Sequence, residues 1–470
     1  MMNEWKRNIP KLRDSLMKIV GEKFVLADEA LMEPYSHDES PVPKAMPDLV
    51  VRPGSASEVA EVVKACAALG VPVVPRGLGT GLTGGSVPTF GGVVVPVDRM
   101  NSVVEIDDTN MMAVVQPGII TGEFHKAVQA HGLMYPPDPA SLDSCSLGGN
   151  VAENAGGPHT LKYGVTRNYL TGLEAVLPSG EIVRYGGKVL KNSTGYDLPH
   201  FFLGSEGTFG IVTQVTMKLI PLPPASIDLL VMFSDFELAA QAVTKVMQGK
   251  KILPAVVEFM DLESVLCSQR ALGKELPFKP DEAQLLIQVD GYSQDSVEAQ
   301  AEVIGEICLE IGAQDVLAAT SQQDKDRLWK ARRIIIEAAK AEASRVELQD
   351  VVVPRSRIPE LLMGAREICR KADVPLLCIG HAGDGNVHFL ILNKGVPRDR
   401  WEATFPGVLS ELMFLALRLD GAIAGEHGIG TYKLRYLDLA LGNAELEMMR
   451  RVKRAIDPQN IMNPGKAITF

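Results

Sequence analysis

The chain has 470 residues, with 47 Lys and Arg against 58 Asp and Glu and a formal net charge of -11 at pH 7. That length exceeds the size at which one hydrophobic core keeps growing, which predicts two domains or three; 46% hydrophobic and 22% charged residues exclude disordered and fibrous classes. The negative balance repels a phosphate backbone and no Lys/Arg-rich block offers an exception, so nucleic acid is excluded as a partner.

Taken in chain order, residues 1–20 mix Lys, Arg, Asp and Glu among apolar side chains and lack the apolar stretch of a secretory signal. Nowhere do about 18 uninterrupted apolar residues occur, and the expectation is a cytoplasmic protein that is not transmembrane. Residues 47–53 read as a loop entering a short strand. Residues 57–69 have helical periodicity with Ser57 as a candidate N-cap, and residues 71–75 read as a strand, so that a βαβ unit runs into a glycine-rich loop. Short apolar strands are expected at residues 92–97, 112–115, 173–177 and 211–219. Pro221, Pro223 and Pro224 then break the pattern, and longer helical stretches follow at residues 234–248 and 295–312. This places a boundary near residue 221, with domains at 1–220 and 221–424 and a terminal segment at 425–470. Six cysteines, Cys66, Cys145, Cys267, Cys308, Cys369 and Cys378, form no C-x-x-C pair, which argues against an iron–sulfur cluster or zinc finger and for buried, reduced thiols.

Seven glycines fall between Gly77 and Gly92, directly after a predicted strand. Glycine lets successive N–H groups point at one anion, and a pyrophosphate fits such a nest. The spacing lacks the G-K-[ST] ending of a Walker loop, and Gly77-x-Gly79-x-Gly81 lacks the dinucleotide register G-x-G-x-x-G. A second cluster runs from Tyr135-Pro136-Pro137-Asp138-Pro139 through Ser146-Leu147-Gly148-Gly149-Asn150 and Asn154-Ala155-Gly156-Gly157 to Lys162-Tyr163-Gly164. Further on, His381 and His388 lie between apolar strands at residues 375–379 and 389–392 with a turn at 383–386. In a hairpin, cross-strand side chains come within about 5 Å, so two imidazoles can share one metal. Gly425-Glu426-His427-Gly428 offers a third ligand and a base side by side.

With both glycine clusters and these histidines in one chain, the sequence resembles the FAD-linked oxidase family of vanillyl-alcohol-oxidase or PCMH-type fold. The similarity is to the branch holding glycolate oxidase flavin subunits, D-lactate dehydrogenases and D-2-hydroxyglutarate dehydrogenases. The resemblance implies an α+β chain: a PCMH-type FAD-binding domain, a second α+β substrate or cap domain, and a C-terminal segment packing back on the first. It implies that Pro75, Arg76, Gly77, Gly79, Thr80, Gly81 and Leu82 wrap the FAD pyrophosphate. Pro137, Asp138, Ser141, Gly148, Gly149, Asn150, Asn154, Gly156, Gly157, Tyr163 and Gly164 line the rest of the cofactor, and Ile211 and Val212 complete the pocket. Covalent members carry a histidine where this chain has Thr80, so FAD is expected to be non-covalent.

The resemblance further implies a divalent metal on His381, His388 and Glu426, with zinc, manganese and iron all open, and His427 as catalytic base. Trp329-Lys330-Ala331-Arg332 resembles the family's W-x-x-R element and points to Arg332, rather than its neighbour Arg333, as a clamp on the substrate carboxylate. The hydroxyglutarate enzymes are expected to carry a lysine near Leu348 for a distal carboxylate; its absence here favours a monocarboxylate such as lactate or glycolate. Residues 457–466 look like the family's closing motif. The activity implied is oxidation of a small D-2-hydroxy acid, with electrons passing to an external acceptor such as an electron-transfer flavoprotein, an iron–sulfur subunit or a quinone. Two alternatives remain open: a non-redox transferase of alkyl-glycerone-phosphate synthase type, and a flavin subunit inside an electron-transfer complex.

Overall fold

Runs of two or three valines mark the strands of the first unit, because β-branched residues fit a pleated surface and continuous apolar runs suit strands buried on both faces. The computed structural model describes residues 4–249, 252–273 and 281–469. It divides into one unit of Met1–Gly156, Val165–Leu222 and Glu426–Phe470, and another of Gly157–Gly164 and Pro223–Gly425. Residues 157–164, expected in the first domain, cluster with the second unit.

In the first unit, Leu49–Val51, Val93–Pro96 and Val73–Arg76 lie side by side in parallel, with Val25–Leu26 antiparallel at the edge. The helix Ala56–Ala67 crosses between the first and last of these. Its N-cap is Ser55, not Ser57: the Ser55 hydroxyl accepts the Glu58 N–H, satisfying one of the helix's orphan donors. Leu49, Val51, Val73, Val93 and Val95 pack on one face against Val59, Val62, Val63 and Cys66 of that helix, with Met462 from the C-terminal segment. Val50, Val74 and Val94 fill the other face with Met32. A second, antiparallel sheet follows in the order Val103–Asp107, Met112–Val115, Ile211–Lys218, Leu170–Val176, Ile182–Gly186.

The second unit carries, among its described residues, a seven-stranded antiparallel sheet. Its order is Asp315–Ala319, Ala225–Phe233, Ala283–Gly291, Val256–Asp261, Leu376–His381, Asn386–Asn393, Arg345–Val352. One face holds Leu230, Met232, Met260, Leu286, Leu377, Ile379, Leu390 and Leu392. Against it lie the helices Leu262–Leu272, Gln322–Arg333 and Ile335–Glu342. Because side chains alternate along a strand, the polar residues Asp228, Gln288, Glu258, His381, His388 and Asp350 share that face with the apolar cluster. The expected helices at 234–248 and 295–312 are Phe236–Gly249 and Gln294–Ile311.

All six cysteines are buried and free, as expected. Burial pushes the thiols of Cys66, Cys308 and Cys369 up to about 12, which leaves them inert near neutral pH. Among the described residues no helix is long and apolar enough to cross a membrane.

Candidate active site

The glycine loop begins where Val73–Arg76 ends. Gly77 must lack a side chain, because a Cβ there would stand 2.5 Å from Ser146 Oγ and 3.6 Å from Gly149 Cα. The loop backbone thus lies directly on the start of the helix Leu147–Glu153, whose N-cap is Ser146. Gly79 has φ +81°, and its Cβ would sit 2.0 Å from the Arg76 guanidinium. Residues 77–82 are all half-buried, and among the described residues the N–H groups of residues 78–82 donate to no backbone acceptor. A half-exposed run of N–H groups beside a helix N-terminus fits a pyrophosphate.

Several residues expected to touch the cofactor spend their side chains elsewhere. Arg76 is buried and donates to the backbone oxygens of His37 and Pro34 and to Ser86 Oγ, so it anchors the entry segment to the loop rather than an anion. Asn150 Nδ2 donates to Thr121 Oγ1 at 2.8 Å in the core. Asn154, with φ 58°, ends the helix as a left-handed C-cap, and its Oδ1 accepts the Arg167 N–H. The backbone oxygen of Pro137 pairs with His125 Nε2 at 3.0 Å. Pro75 lies in the strand before the loop. Thr80, Gly81, Leu82, Asp138, Ser141, Gly148 and Gly149 remain on half-buried backbone; Gly156 and Ile211 are buried and Val212 is half-buried. Gly157, Tyr163 and Gly164 fall in the second unit, where Gly157 N–H donates to Thr160 Oγ1 and Tyr163 OH donates to Asp290.

Within the first unit, the loop also grips the segment that carries His427. Thr83 Oγ1 donates to the backbone oxygen of His427 at 3.1 Å, and the Thr83 carbonyl accepts the N–H groups of Thr431 and Tyr432. Glu206 Oε1 and Oε2 accept the N–H groups of Ile429 and Gly430 at 2.8 and 2.6 Å. Glu153 approaches the same turn. Burial, reinforced by Glu206 beside it, pushes the Glu153 carboxyl well up; burial also raises Glu206, but the two N–H donors pull against it. Glu426 Oε1 lies 3.8 Å from His427 Nε2.

The C-terminal motif closes on the same loop: Lys466, fully buried, donates to Val87 O and Thr89 Oγ1. Burial pulls its ammonium down to about 8, against the opposing pull of Asp38 and Glu206. The native pKa lies below the unfolded value, so the burial penalty is fully present below pH 8. It is relieved as pH rises from 8 towards 10.4, where the folded state sheds a proton that the unfolded chain keeps. Relative to Lys466→Met, the wild-type chain should therefore gain stability across that window, by up to about 3 kcal/mol, measured as the difference in Tm at pH 7.5 and 9.5.

In the second unit the hairpin is present, with strands Leu376–His381 and Asn386–Asn393. Its turn requires Gly385, at φ +93°, where a Cβ would stand 2.0 Å from Val353 O. His381 sits opposite Asn386 and His388 opposite Ile379, so the imidazoles meet diagonally: their Nε2 atoms are 3.4 Å apart, and both residues are buried. Glu258, opposite His381 in the next strand, takes the His381 Nδ1. With the proton on Nδ1, Nε2 presents its lone pair, and two such nitrogens facing one another fit a metal ion. Asp350 Oδ1 lies 3.7 Å from His388 Nδ1, and Asp350 also accepts Asn386 Nδ2 and the Gly425 N–H, one peptide bond before Glu426.

Arg332 is one helical turn beyond Trp329, and both reach the sheet: Trp329 Nε1 donates to Asp228 at 2.9 Å, and Arg332 Nη2 pairs with Glu258 Oε2 at 2.7 Å. Arg332 is thus partly committed inside the protein, but its buried Nε has no hydrogen-bond partner among the described residues. Burial would raise Glu258, but His381 and Arg332 outweigh it and hold the carboxyl below its ordinary value. Sequence reasoning missed Glu258, Asp350, Asp228 and Glu206. None belongs to a motif, which hid them; for Glu258, Asp350 and Asp228 the available signal was a charge where a buried strand should carry none, and Glu206, in a Gly/Ser/Thr loop, gave no such signal.

A family model for an FAD binding domain matches residues 47–186, and one for the C-terminal domain of FAD-linked oxidases matches residues 222–467. The chain belongs to the FAD-linked oxidase family. It is 39% identical to "Glycolate oxidase subunit GlcD" of Bacillus subtilis over 97% of this chain and 96% of that protein. It is 36% identical to a "D-lactate dehydrogenase" of Anaerostipes hadrus over 99% of each. The fold is that of p-cresol methylhydroxylase, with a TM-score of 0.80, 20% identity and coverage of 99% of this chain and 98% of that one. The α+β, PCMH-type architecture and FAD as cofactor are therefore properties of this chain, an FAD-dependent oxidoreductase acting on CH–OH groups.

Proposed function

We propose that the protein oxidises a small D-2-hydroxy acid, D-lactate or glycolate, to the 2-oxo acid with metal assistance, using non-covalent FAD and an external electron acceptor. The observation that carries this reading is the buried pair of imidazole nitrogens 3.4 Å apart, with Glu258 oriented behind one of them. The glycolate oxidase subunit and D-lactate dehydrogenase among the relatives give the substrate class. FAD supplies a hydride acceptor, and a divalent ion supplies a Lewis acid that lowers the pKa of a bound hydroxyl.

The chain's own residues do the rest. His381 and His388 offer Nε2, and Glu426 is the third ligand of the proposed set; Glu258 fixes the His381 ring through Nδ1. Arg332 Nε, buried and without a hydrogen-bond partner among the described residues, is the donor for the substrate carboxylate. His427 takes the hydroxyl proton on a ring nitrogen, since an imidazole titrates near neutrality. Leu348 packs among apolar side chains, so a second carboxylate on the substrate would find no cation there. Thr80 lacks a nucleophile suited to a flavin bond. With no C-x-x-C pair and no nicotinamide fingerprint, electrons leave reduced FAD for a separate acceptor: an electron-transfer flavoprotein, an iron–sulfur subunit or a quinone.

The test is dye-coupled turnover on a panel of D- and L-2-hydroxy acids, before and after chelation. Chelation should abolish turnover, zinc, manganese or iron should restore it, and His381→Ala should match the chelated enzyme. Acid precipitation of the same sample should leave the flavin in solution. Full turnover after chelation would remove the metal from the account, and flavin pelleting with the protein would make the linkage covalent.

A further inference from the structure

Glu206 is an unusual residue for its place. It is a carboxylate 5% exposed, in the segment Gly204-Ser205-Glu206-Gly207-Thr208 that precedes the strand Ile211–Lys218, and its φ of +51° is one that residues with a Cβ rarely adopt. A strained conformation at a buried charge persists only where its surroundings fix it. Here every polar part of the residue is used. The Glu206 N–H donates to Ala152 O, in the helix that abuts the glycine loop. Its carbonyl accepts Asn463 Nδ2 at 2.6 Å, and the same Asn463 nitrogen reaches Gly85 O at 2.9 Å. The carboxylate takes the N–H groups of Ile429 and Gly430, two and three residues after His427.

The turn itself has no slack. A Cβ on Gly428, at φ +78°, would lie 2.4 Å from Glu153 and 3.1 Å from Glu206. One on Gly430 would lie 2.1 Å from Thr83 O. The two glycines let the chain pass between the end of the glycine loop and the two carboxyls, and Glu206 holds it there through two N–H groups. Two N–H groups on one carboxylate are charge-assisted bonds, stronger than the neutral bonds of an ordinary turn.

We propose that Glu206 is a positioning residue for the reaction: through the Ile429 and Gly430 N–H groups it fixes the backbone of His427 against the flavin loop. This rests on the reading of His427 as the base. The hydrogen bonds of Glu206 among the described residues are to this chain's own backbone and Asn463, and its effect is carried by the turn.

The test uses Glu206→Gln and Glu206→Asp as FAD-loaded enzymes, with kcat expressed per bound flavin. A glutamine keeps the size but presents one N–H group to a donor, so amide hydrogen exchange in the peptide holding Ile429 and Gly430 should accelerate. The kcat should fall roughly 10- to 100-fold with KM little changed, and the aspartate should recover part of the loss. Exchange and kcat equal to the parent's would overturn the proposal. So would faster exchange with an unchanged kcat, because the turn would then be held for stability alone. His427→Gln run in parallel separates the two readings: if it retains turnover, the base assignment fails, while the exchange data still decide whether Glu206 holds the turn.

Discussion

Glu258→Ala should destabilise the second unit by about 3–5 kcal/mol, a fall in Tm of roughly 10 °C for a body of this size. Glu258 is 1% exposed and stands between Arg332 and the imidazole of His381. Removing it leaves a guanidinium buried without its counter-charge and frees the ring it orients. The stability loss and the functional loss have different origins, and a second variant separates them. In Glu258→Met/Arg332→Met the buried charges vanish together, so the Tm should return to the wild-type value or exceed it. Turnover should stay lost, since neither the His381 tautomer nor Arg332, the proposed clamp on the substrate carboxylate, is restored. Differential scanning calorimetry beside dye-coupled turnover reads both; a double variant as unstable as the single one would show that Glu258 acts through packing rather than charge.

The second large effect lies in the first unit. Lys453 is 2% exposed and its ammonium has three partners: Thr208 O at 2.7 Å, Asp457 Oδ2 at 2.6 Å and Met462 O at 2.8 Å. Asp457 in turn accepts the N–H groups of Ile461 and Met462. Lys453→Met should cost about 3–5 kcal/mol, because it strands a buried carboxylate and two carbonyls. It should also loosen FAD: Thr208 and Met462 flank Glu206 and Asn463, the residues that tie the glycine loop to the turn after His427. Flavin retained on gel filtration measures that part, and Lys453→Met/Asp457→Leu should recover stability without recovering all of the flavin.

These two networks show where the sequence was readable. The valine runs at residues 50–51, 73–74 and 93–95 could only be buried strands, and the glycine density after Arg76 could only be a loop built for close approach. The histidine hairpin was legible because a turn-forming run, Gly383 to Asn386, separated two apolar stretches. Helix starts were less secure: Ser55 and Ser57 are both good caps, and only the backbone conformation decides between them. The work of the Arg76 side chain was not legible, because its acceptors, the backbone oxygens of residues 34 and 37, lie about 40 residues earlier in the chain. The same holds for Asn150 and Asn154, whose amides pair with Thr121 Oγ1 and the Arg167 N–H, since nothing in the sequence marks which group an amide pairs with. Glu258, Asp350 and Glu206 were out of reach because their partners lie 123, 75 and more than 220 residues away in the chain. Only the sheet register and the return of the C-terminal segment bring them into play.

One measurement bears on the central claim more directly than any variant. Mixed anaerobically with D-lactate or glycolate, the FAD-loaded enzyme should lose its oxidised-flavin absorbance in a single turnover, the 2-oxo acid should appear in equal amount, and prior chelation should stop both. Flavin that stays oxidised with every 2-hydroxy acid, in enzyme holding full FAD and metal, would contradict the account.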